Sequence, residues 1–497
     1  MRRGPAVGIV VAAWAAAAGA APVEEPILWK GPAMPEWRDA DRLILSGVLE
    51  DGHFKPSALA PELPTAAPGP ALIPLAGNLL PLADIRPFGV EERIAVERTG
   101  EGITLRCRPG KAPAGVVLSW PGRRFPLIYR GEWRVDGASR QPLPMSVVLS
   151  GTDGKHRPEV MLGQGVMRLP YEPLAAPSLV IACPPEAASG RLHSVMIEPL
   201  KSDAIHSRGT WVWSDAAWRT DPAAFARRAA DAGWNELAIQ LPAEPDAAVQ
   251  ALIAALAERG IRFRFVEGAP AYATPGGLDH ALPQFARWRR WCEANLVRLP
   301  MLELDIEPYT LASSGADPGG GWAGWVTAIH AISAAWGQPV AVDVPWWMTK
   351  DPGGREALSR AEGAIAEIVI MAYRTDPQLI LDAVEPWFAA YARPIRIAIE
   401  SGPVATEVTR TYQRAGRGTL RLGATGTVLL TNAREAGEGE VMFAMAGEQV
   451  TSPARVSFHG SPDRAAAVER AIAPLLQGWP RFAGFRVHGW MPEGETK

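Results

Sequence analysis

The sequence predicts an α/β protein, a (β/α)8 TIM barrel preceded by an antiparallel β-sandwich. Three observations carry that prediction. From residue 207 onward, short apolar strand-like runs alternate with helical runs until eight strands are complete. Between 81 and 200 the pattern is one of short alternating strands broken by Gly and Pro turns. No GxGxxG follows the first strand of the alternating region and no GxxxxGKS/T occurs anywhere, which excludes dinucleotide-binding and P-loop sheets.

At the start, residues 1–20 place two arginines before a short Ala/Val/Ile run, and Ala18-Gly19-Ala20 supplies the small-residue pattern of a cleavage site. The run is short and no stop-transfer charge follows, so it reads as a signal peptide; a retained N-terminal anchor is the other reading. No later stretch is apolar and long enough to span a bilayer. The mature chain is therefore expected to be secreted or periplasmic, with no stable membrane insertion. Residues 21–80, with stretches such as APELPTAAPGPALIP, read as a Pro/Ala-rich linker or wrapping segment with little regular structure.

Residues 81–200 supply the sandwich strands, among them ERIAVER, GITLRC, GVVLSW, MSVVLSG, SLVIAC and HSVMIEPL. Such a domain ahead of a catalytic one either binds carbohydrate or braces its neighbour. Cys107 and Cys183 both fall in this region and are a candidate disulfide in an oxidising compartment. Cys292, in a helical pattern, is left over. No CxxC pair or His/Cys cluster is present, so neither a metal nor another cofactor is expected.

The barrel is expected over 207–497. Its strands are GTWVWS, ELAIQLP, IRFRFVEGAPAYA, MLELDIEPY, PVAVDVPWW, AEIVIMAYR, PIRIAIES and FAGFRVHGW. A helical segment follows each but the last; the first opens with Asp221 as cap and Pro222 at the first helical position. A Gly- and Arg-rich insertion at 402–455 interrupts the pattern after the seventh strand. Its stretches TVLLTN and EVMFAMAG suggest a β-hairpin over the barrel mouth. Its arginines, Arg410, Arg414, Arg417 and Arg421, read either as solvated surface or as contacts to an acidic polysaccharide.

Bulk composition narrows the partner. A formal net charge of -3 gives no reason to expect nucleic acid or an anionic membrane. Nineteen tryptophans against seven tyrosines favour a carbohydrate partner, because indole faces stack on sugar rings as readily as they fill cores.

The fourth strand carries most of the chemistry. Glu303, Asp305 and Glu307 recur every second residue and stop at Pro308, so all three share one face of the strand. A row of carboxylates on an apolar strand is costly to desolvate unless it is paired or working. One reading is a structural ladder tied to lysines or arginines. The other is catalysis, because polar residues at the C-terminal ends of barrel strands build active sites. Those ends offer Trp211 and Trp213, Gln240, Glu267, then Asp305 and Glu307, then Asp343, Trp346 and Trp347. Tyr373, Arg374, Glu400, His488 and Trp490 complete the set. Carboxylates framed by aromatic rings fit glycoside hydrolysis, which needs a proton donor, a group that stabilises or traps the oxocarbenium-like centre, and walls for the sugars.

LELDIEP on the fourth strand and VIMAYR on the sixth resemble the chitinase-like family-18 glycoside hydrolases, whose corresponding strands carry DxxDxDxE and MxYD motifs. The resemblance implies Glu307 as catalytic acid, Asp305 as the carboxylate that assists the substrate's N-acetyl group, Met371 and Tyr373 as the sixth-strand pair, and Trp490 as a sugar-stacking ring. The chain departs from the pattern at Pro300, Glu303 and Arg374, where the family has Asp. Glu307-Pro308 also resembles the Glu-Pro pair of retaining barrel glycosidases, which implies Glu400 as nucleophile; Ile306 stands where that group has Asn.

The expected function is thus a secreted glycoside hydrolase cleaving a polysaccharide or oligosaccharide, with Glu307 as general acid and Asp305, Tyr373 and Glu400 as catalytic partners. Trp211, Trp213, Gln240, Glu267, Asp343, Trp346, Arg374, His488 and Trp490 are the expected substrate-binding set. The alternative is a non-catalytic carbohydrate-binding or polysaccharide-assembly protein on a glycosidase-like barrel.

Overall fold

The computed structural model describes residues 27–29, 35–61, 71–73, 77–125, 131–139, 146–150, 156–162, 165–171, 177–199, 206–314, 321–423, 427–477, 479 and 481–490. The expected signal peptide lies outside the described residues.

Eight parallel strands close into a barrel in sequence order. They are β1 (Ser207–Val212), β2 (Glu236–Gln240), β3 (Arg262–Glu267), β4 (Leu302–Leu304), β5 (Val340–Pro345), β6 (Ile365–Met371), β7 (Ile395–Glu400) and β8 (Phe482–His488), and β8 pairs back onto β1. Among the described residues the outer shell includes the helices α1 (Pro222–Asp231), α2 (Ala247–Glu258), α3 (Pro275–Asn295), α4 (Trp322–Trp336), α5 (Pro352–Ala361), α6 (Pro377–Ala390) and α7 (Pro462–Gln477). Local chemistry sets where they begin. The side chains of Asp221, Asp246, Thr274, Asp351 and Asp376 each accept from a backbone N–H of the first turn, satisfying donors that have no partner inside the helix. Four of those helices also start at proline, whose fixed φ suits the first position. Apolar faces of the helices pack on the strands through Trp288, Trp325, Trp336 and Trp387, all fully buried.

The sandwich consists of two five-stranded antiparallel sheets. Leu105, Trp133, Val135 and Leu169 of one face Val116, Leu118, Leu179 and Ile181 of the other. Cys107 ends a strand of the first sheet, Cys183 follows a strand of the second, and the two form a disulfide that ties the sheets together. Cys292 is free and buried in α3, where burial pushes its thiol up to about 12.

The third unit differs from the sequence reading. Arg42–Glu50 and His53–Pro61 are strands, so the 21–80 segment is more than an extended linker. They join strands Thr406–Ala415, Arg417–Leu422, Val428–Glu435 and Val441–Thr451 of the insertion in one seven-stranded antiparallel sheet with Ile27–Trp29. The expected hairpin is thus part of a larger sheet. Leu43 and Leu45 alternate inward in RLILSGVLE and pack with Leu59, Tyr412, Leu420 and Phe443. Ile44 lies opposite Thr411, a partner far away in the chain that no local pattern announces. Three of the insertion arginines serve this sheet. Arg410 pairs with Glu448 at 2.8 Å, Arg421 pairs with Glu440 at 2.7 Å, and Arg417 donates to the Ala433 carbonyl. Arg414 donates to the Ala40 carbonyl. Among the described residues no helix is long and apolar enough to cross a membrane.

Candidate active site

The barrel interior is built in layers. At the Glu303 level lies a buried ionic cage of three glutamates and three arginines, Glu236, Glu303, Glu367, Arg264, Arg396 and Arg486. Arg486 donates to Glu236 at 3.0 Å and to Glu303 at 2.8 Å; Arg264 donates to Glu303 at 3.1 Å and to Glu367 at 2.8 Å. Arg396 bonds Glu367 at 3.0 Å and pairs with Glu236 at 3.2 Å. Burial alone raises Glu236, but the guanidiniums of Arg396, Arg264 and Arg486 outweigh it and hold the carboxyl at about 2. Glu303 is therefore structural: the ladder reading holds for this one member of the row. IRFRF, PIRIA and FRVH place an arginine inside an apolar strand, a legible signal that a search for acids alone overlooks.

Above the cage sits a small apolar layer of Trp211, Ala238, Val266, Val369 and Ala398, with Trp213 and Tyr373 packed on it. Trp211, expected in the substrate-binding set, lies inside the barrel. It is buried, and its indole Nε1 donates to Glu303 Oε1 at 2.6 Å. An interior position on β1 explains the difference, because its indole points down into the cage. Trp213, one pleat further on, stacks on Trp211 with centroids 6.5 Å apart and is half-buried, with its buried indole N–H unpartnered among the described residues.

The carboxyls of the mouth follow. Glu303 pairs in register with Ala341, so Asp305 and Asp343, two residues on, stand level on neighbouring strands. The cage has no cation to spare for them, since its three negative charges are already matched. Burial, then the charges of Glu307 and Glu303, push Asp305 up to about 8. Asp343 goes well above the carboxylate range, through burial and then Glu303 and Asp305, against a smaller opposing pull from Arg486 and Arg264. Neither oxygen of Asp343, nor Oδ1 of Asp305, has a hydrogen-bond partner among the described residues. Burial thus favours the protonated form of both acids. Close packing fixes the spot: a Cβ on Gly268 would meet the Asp305 carbonyl oxygen at 1.9 Å, and the Asp305 N–H donates to the Glu267 carbonyl at 3.0 Å.

Glu307 lies one pleat higher and is half-buried. The Tyr309 hydroxyl donates to its Oε1, a contact contained in LELDIEPY itself and absent from the expected set. Tyr309 in turn packs on Trp347, centroids 5.1 Å apart. Glu267 is buried, accepts from the Tyr272 hydroxyl at 3.1 Å, and is raised by that burial. Gln240 is half-buried at the end of β2.

On the opposite side, Met371 pairs with Ala398 and Glu400 with His488, which brings Tyr373, Glu400 and His488 to one level. His488 Nδ1 lies 2.7 Å from Glu400 Oε2, and the Gly402 N–H donates to Glu400 Oε1 at 2.5 Å. Gly489 keeps that turn tight: its φ is +78° and a Cβ there would meet the Gly402 nitrogen at 2.1 Å. Tyr373 stacks on His488 with centroids 6.2 Å apart. Burial, and then the charges of Glu400, Asp305, Asp343 and Glu307, raise the Tyr373 phenol; it lies between the two acidic groups.

Two residues of the expected set sit elsewhere. Trp490 packs on Phe225 and Trp234 at 5.9 and 5.8 Å, with the helical shell, because the chain turns outward at Gly489. Trp346 and Trp347, being neighbours, point apart: Trp347 joins Tyr309 and Trp322, whereas Trp346 lies beneath Arg374 and Lys350 at the rim. Among the described residues no group of three His, Cys, Asp or Glu side chains has the arrangement of a metal site.

No protein-family model matches the sequence, and no curated protein matches it. Among solved structures, the spore cortex-lytic enzyme SleL of Bacillus cereus aligns at 11% identity over 61% of this chain and 75% of its own, with a TM-score of 0.33. Catalytic domain 2 of the Ostrinia furnacalis group II chitinase aligns at 12% over 57% and 89%, TM-score 0.31. The carbohydrate-binding and catalytic modules of a Clostridium thermocellum endo-1,4-β-D-xylanase align at 7% over 64% and 80%, TM-score 0.23. Likeness of this extent leaves the chemistry to be argued from the residues.

Proposed function

We propose that the protein is a glycoside hydrolase with Glu307 as its proton donor. The observation that carries this reading is the stack of Asp343, Asp305 and Glu307 at the mouth, in which Asp343 is buried, Asp305 and Asp343 are both raised above the ordinary carboxylate range, and Glu307 is half-buried. A carboxyl in that setting suits protonation of a glycosidic oxygen. Trp213, Tyr373 and His488 offer ring faces and edges for the sugar.

Asp305 is the helper we favour. Both oxygens of Glu400 are engaged, by His488 and by the Gly402 amide, which disfavours Glu400 as nucleophile. We further propose that the chain acts outside the cytoplasm, a reading the Cys107–Cys183 disulfide supports. One observation favours a second function: Tyr309 engages Glu307 in this structure, as it would in a carbohydrate-binding protein without turnover.

Wild type and Glu307→Gln, tested on a panel of polysaccharides, separate these readings. We expect the substitution to lower turnover by about 10²–10⁴ with binding retained. Activity that survives it overturns the assignment, and saturable binding without turnover by wild type supports the second function.

A further inference from the structure

We propose that the barrel rim carries an anion-binding subsite built on Arg374, Trp346 and Lys350, and that the sugar bound at the mouth bears an acidic group, a carboxylate or a sulfate. This deepens, and rests on, the carbohydrate reading of the site. Arg374 directly follows Tyr373 at the exit of β6. Its Nη1 donates to the Tyr373 carbonyl at 2.6 Å and its guanidinium lies 4.8 Å from the Trp346 ring centroid. Lys350 Nζ lies 4.5 Å from the same ring. The Trp346 backbone is held in place, because Trp387 Nε1 donates to its carbonyl at 3.1 Å.

More positive charge converges from the chain after the insertion. The Thr375 N–H donates to the Arg455 carbonyl at 3.2 Å, and Arg464 Nη2 donates to the Thr375 hydroxyl at 2.9 Å. The Arg455 charge acts on Arg374, and so does the carboxylate of Glu407, which is exposed and forms no ion pair with it among the described residues.

The buried arginines of the barrel cage and the sandwich face carboxylates or carbonyls. Arg264, Arg396 and Arg486 are matched by glutamates, and Arg93 gives its donors to the carbonyls of Arg108, Ala112 and Pro184. Arg374, less than half exposed, has one carbonyl and an indole face. A guanidinium carries five donors in a fork that fits a carboxylate or sulfate, and a partly desolvated cation without a counter-ion is relieved by one.

The test is calorimetric binding by the full chain of three probes of equal length: a galacturonate oligosaccharide, a sulfated galactan oligosaccharide and a neutral cello-oligosaccharide, at low and raised salt. Wild type is expected to bind at least one acidic probe about ten- to a hundredfold more tightly than the neutral one, with the advantage reduced by salt. Whichever acidic arm binds better identifies the group. Arg374→Gln is expected to abolish the advantage and Arg374→Lys to keep part of it, with circular dichroism unchanged. Equal affinity for neutral and acidic probes in wild type, or a preference that survives Arg374→Gln, overturns the subsite. Glu307→Gln should keep the preference, so turnover insensitive to that substitution refutes the hydrolase reading alone, and failure to bind any glycan refutes both.

Discussion

His488 and Glu400 meet across the seam between β8 and β7, with Nδ1 2.7 Å from Oε2, and the Gly402 amide occupies the other carboxylate oxygen. This contact holds the imidazole through Nδ1. If Glu307 is the proton donor as proposed, these contacts suit Glu400 to a positioning role through His488. Glu400→Gln and His488→Asn should each lower turnover by about tenfold or more and alter the pH profile, and the double variant should be no worse than the poorer single one. A dead Glu400→Gln beside a fully active His488→Asn would instead make Glu400 the nucleophile.

Asp305 links the site to stability. Its carboxyl titrates near 8 in the folded chain against 3.8 as a free side chain, so between those values the folded state binds the extra proton. Stability from this group is greatest below about 3.8 and declines as pH rises toward about 8. Asp305→Asn removes the titration, and thermal melts should show its stabilising effect to be larger at pH 8 than at pH 5. A pH-independent difference would count against the buried, protonated assignment.

Arg486 and Glu303 test the cage beneath. Each is fully buried and they lie 2.8 Å apart. Arg486→Met leaves a carboxylate short of its partner and should cost about 3–5 kcal/mol in urea unfolding, whereas adding Glu303→Leu should recover part of that loss. Acidification has the sign opposite to that at Asp305. Glu236 is held at about 2, so the stability it supplies is present above the ordinary carboxylate range and is lost as pH falls through about 2.

Much of this was legible in one dimension. The periods of two and of about 3.6, the helix caps and the glycines predict all eight barrel strands and their helices, because those signals act within a few residues. The row LELDIEP announced its importance for the same reason: strand geometry puts its three acids on one face.

What alternation does not say is which acid has a cation. Glu303, Asp305 and Glu307 look alike in sequence, yet Arg264 and Arg486 from distant strands neutralise only the first. Asp305 is instead pushed up to about 8 by burial and then by the charges of Glu307 and Glu303. Trp211 and Trp490 were misplaced because a ring's direction at a strand end depends on barrel closure. The strand at Arg42–Glu50 joins the sheet through Thr406–Ala415, which lies far along the chain, and His53–Pro61 then pairs with Arg42–Glu50. Sequence by itself determined the elements, their order and the shared face of the fourth strand. Tertiary structure alone decided which of the acids meets a cation, the pairing of His488 with Glu400 and the placement of Arg374 over Trp346. Electrostatics and burial depend on distances through space, and those exist only once the strands have closed.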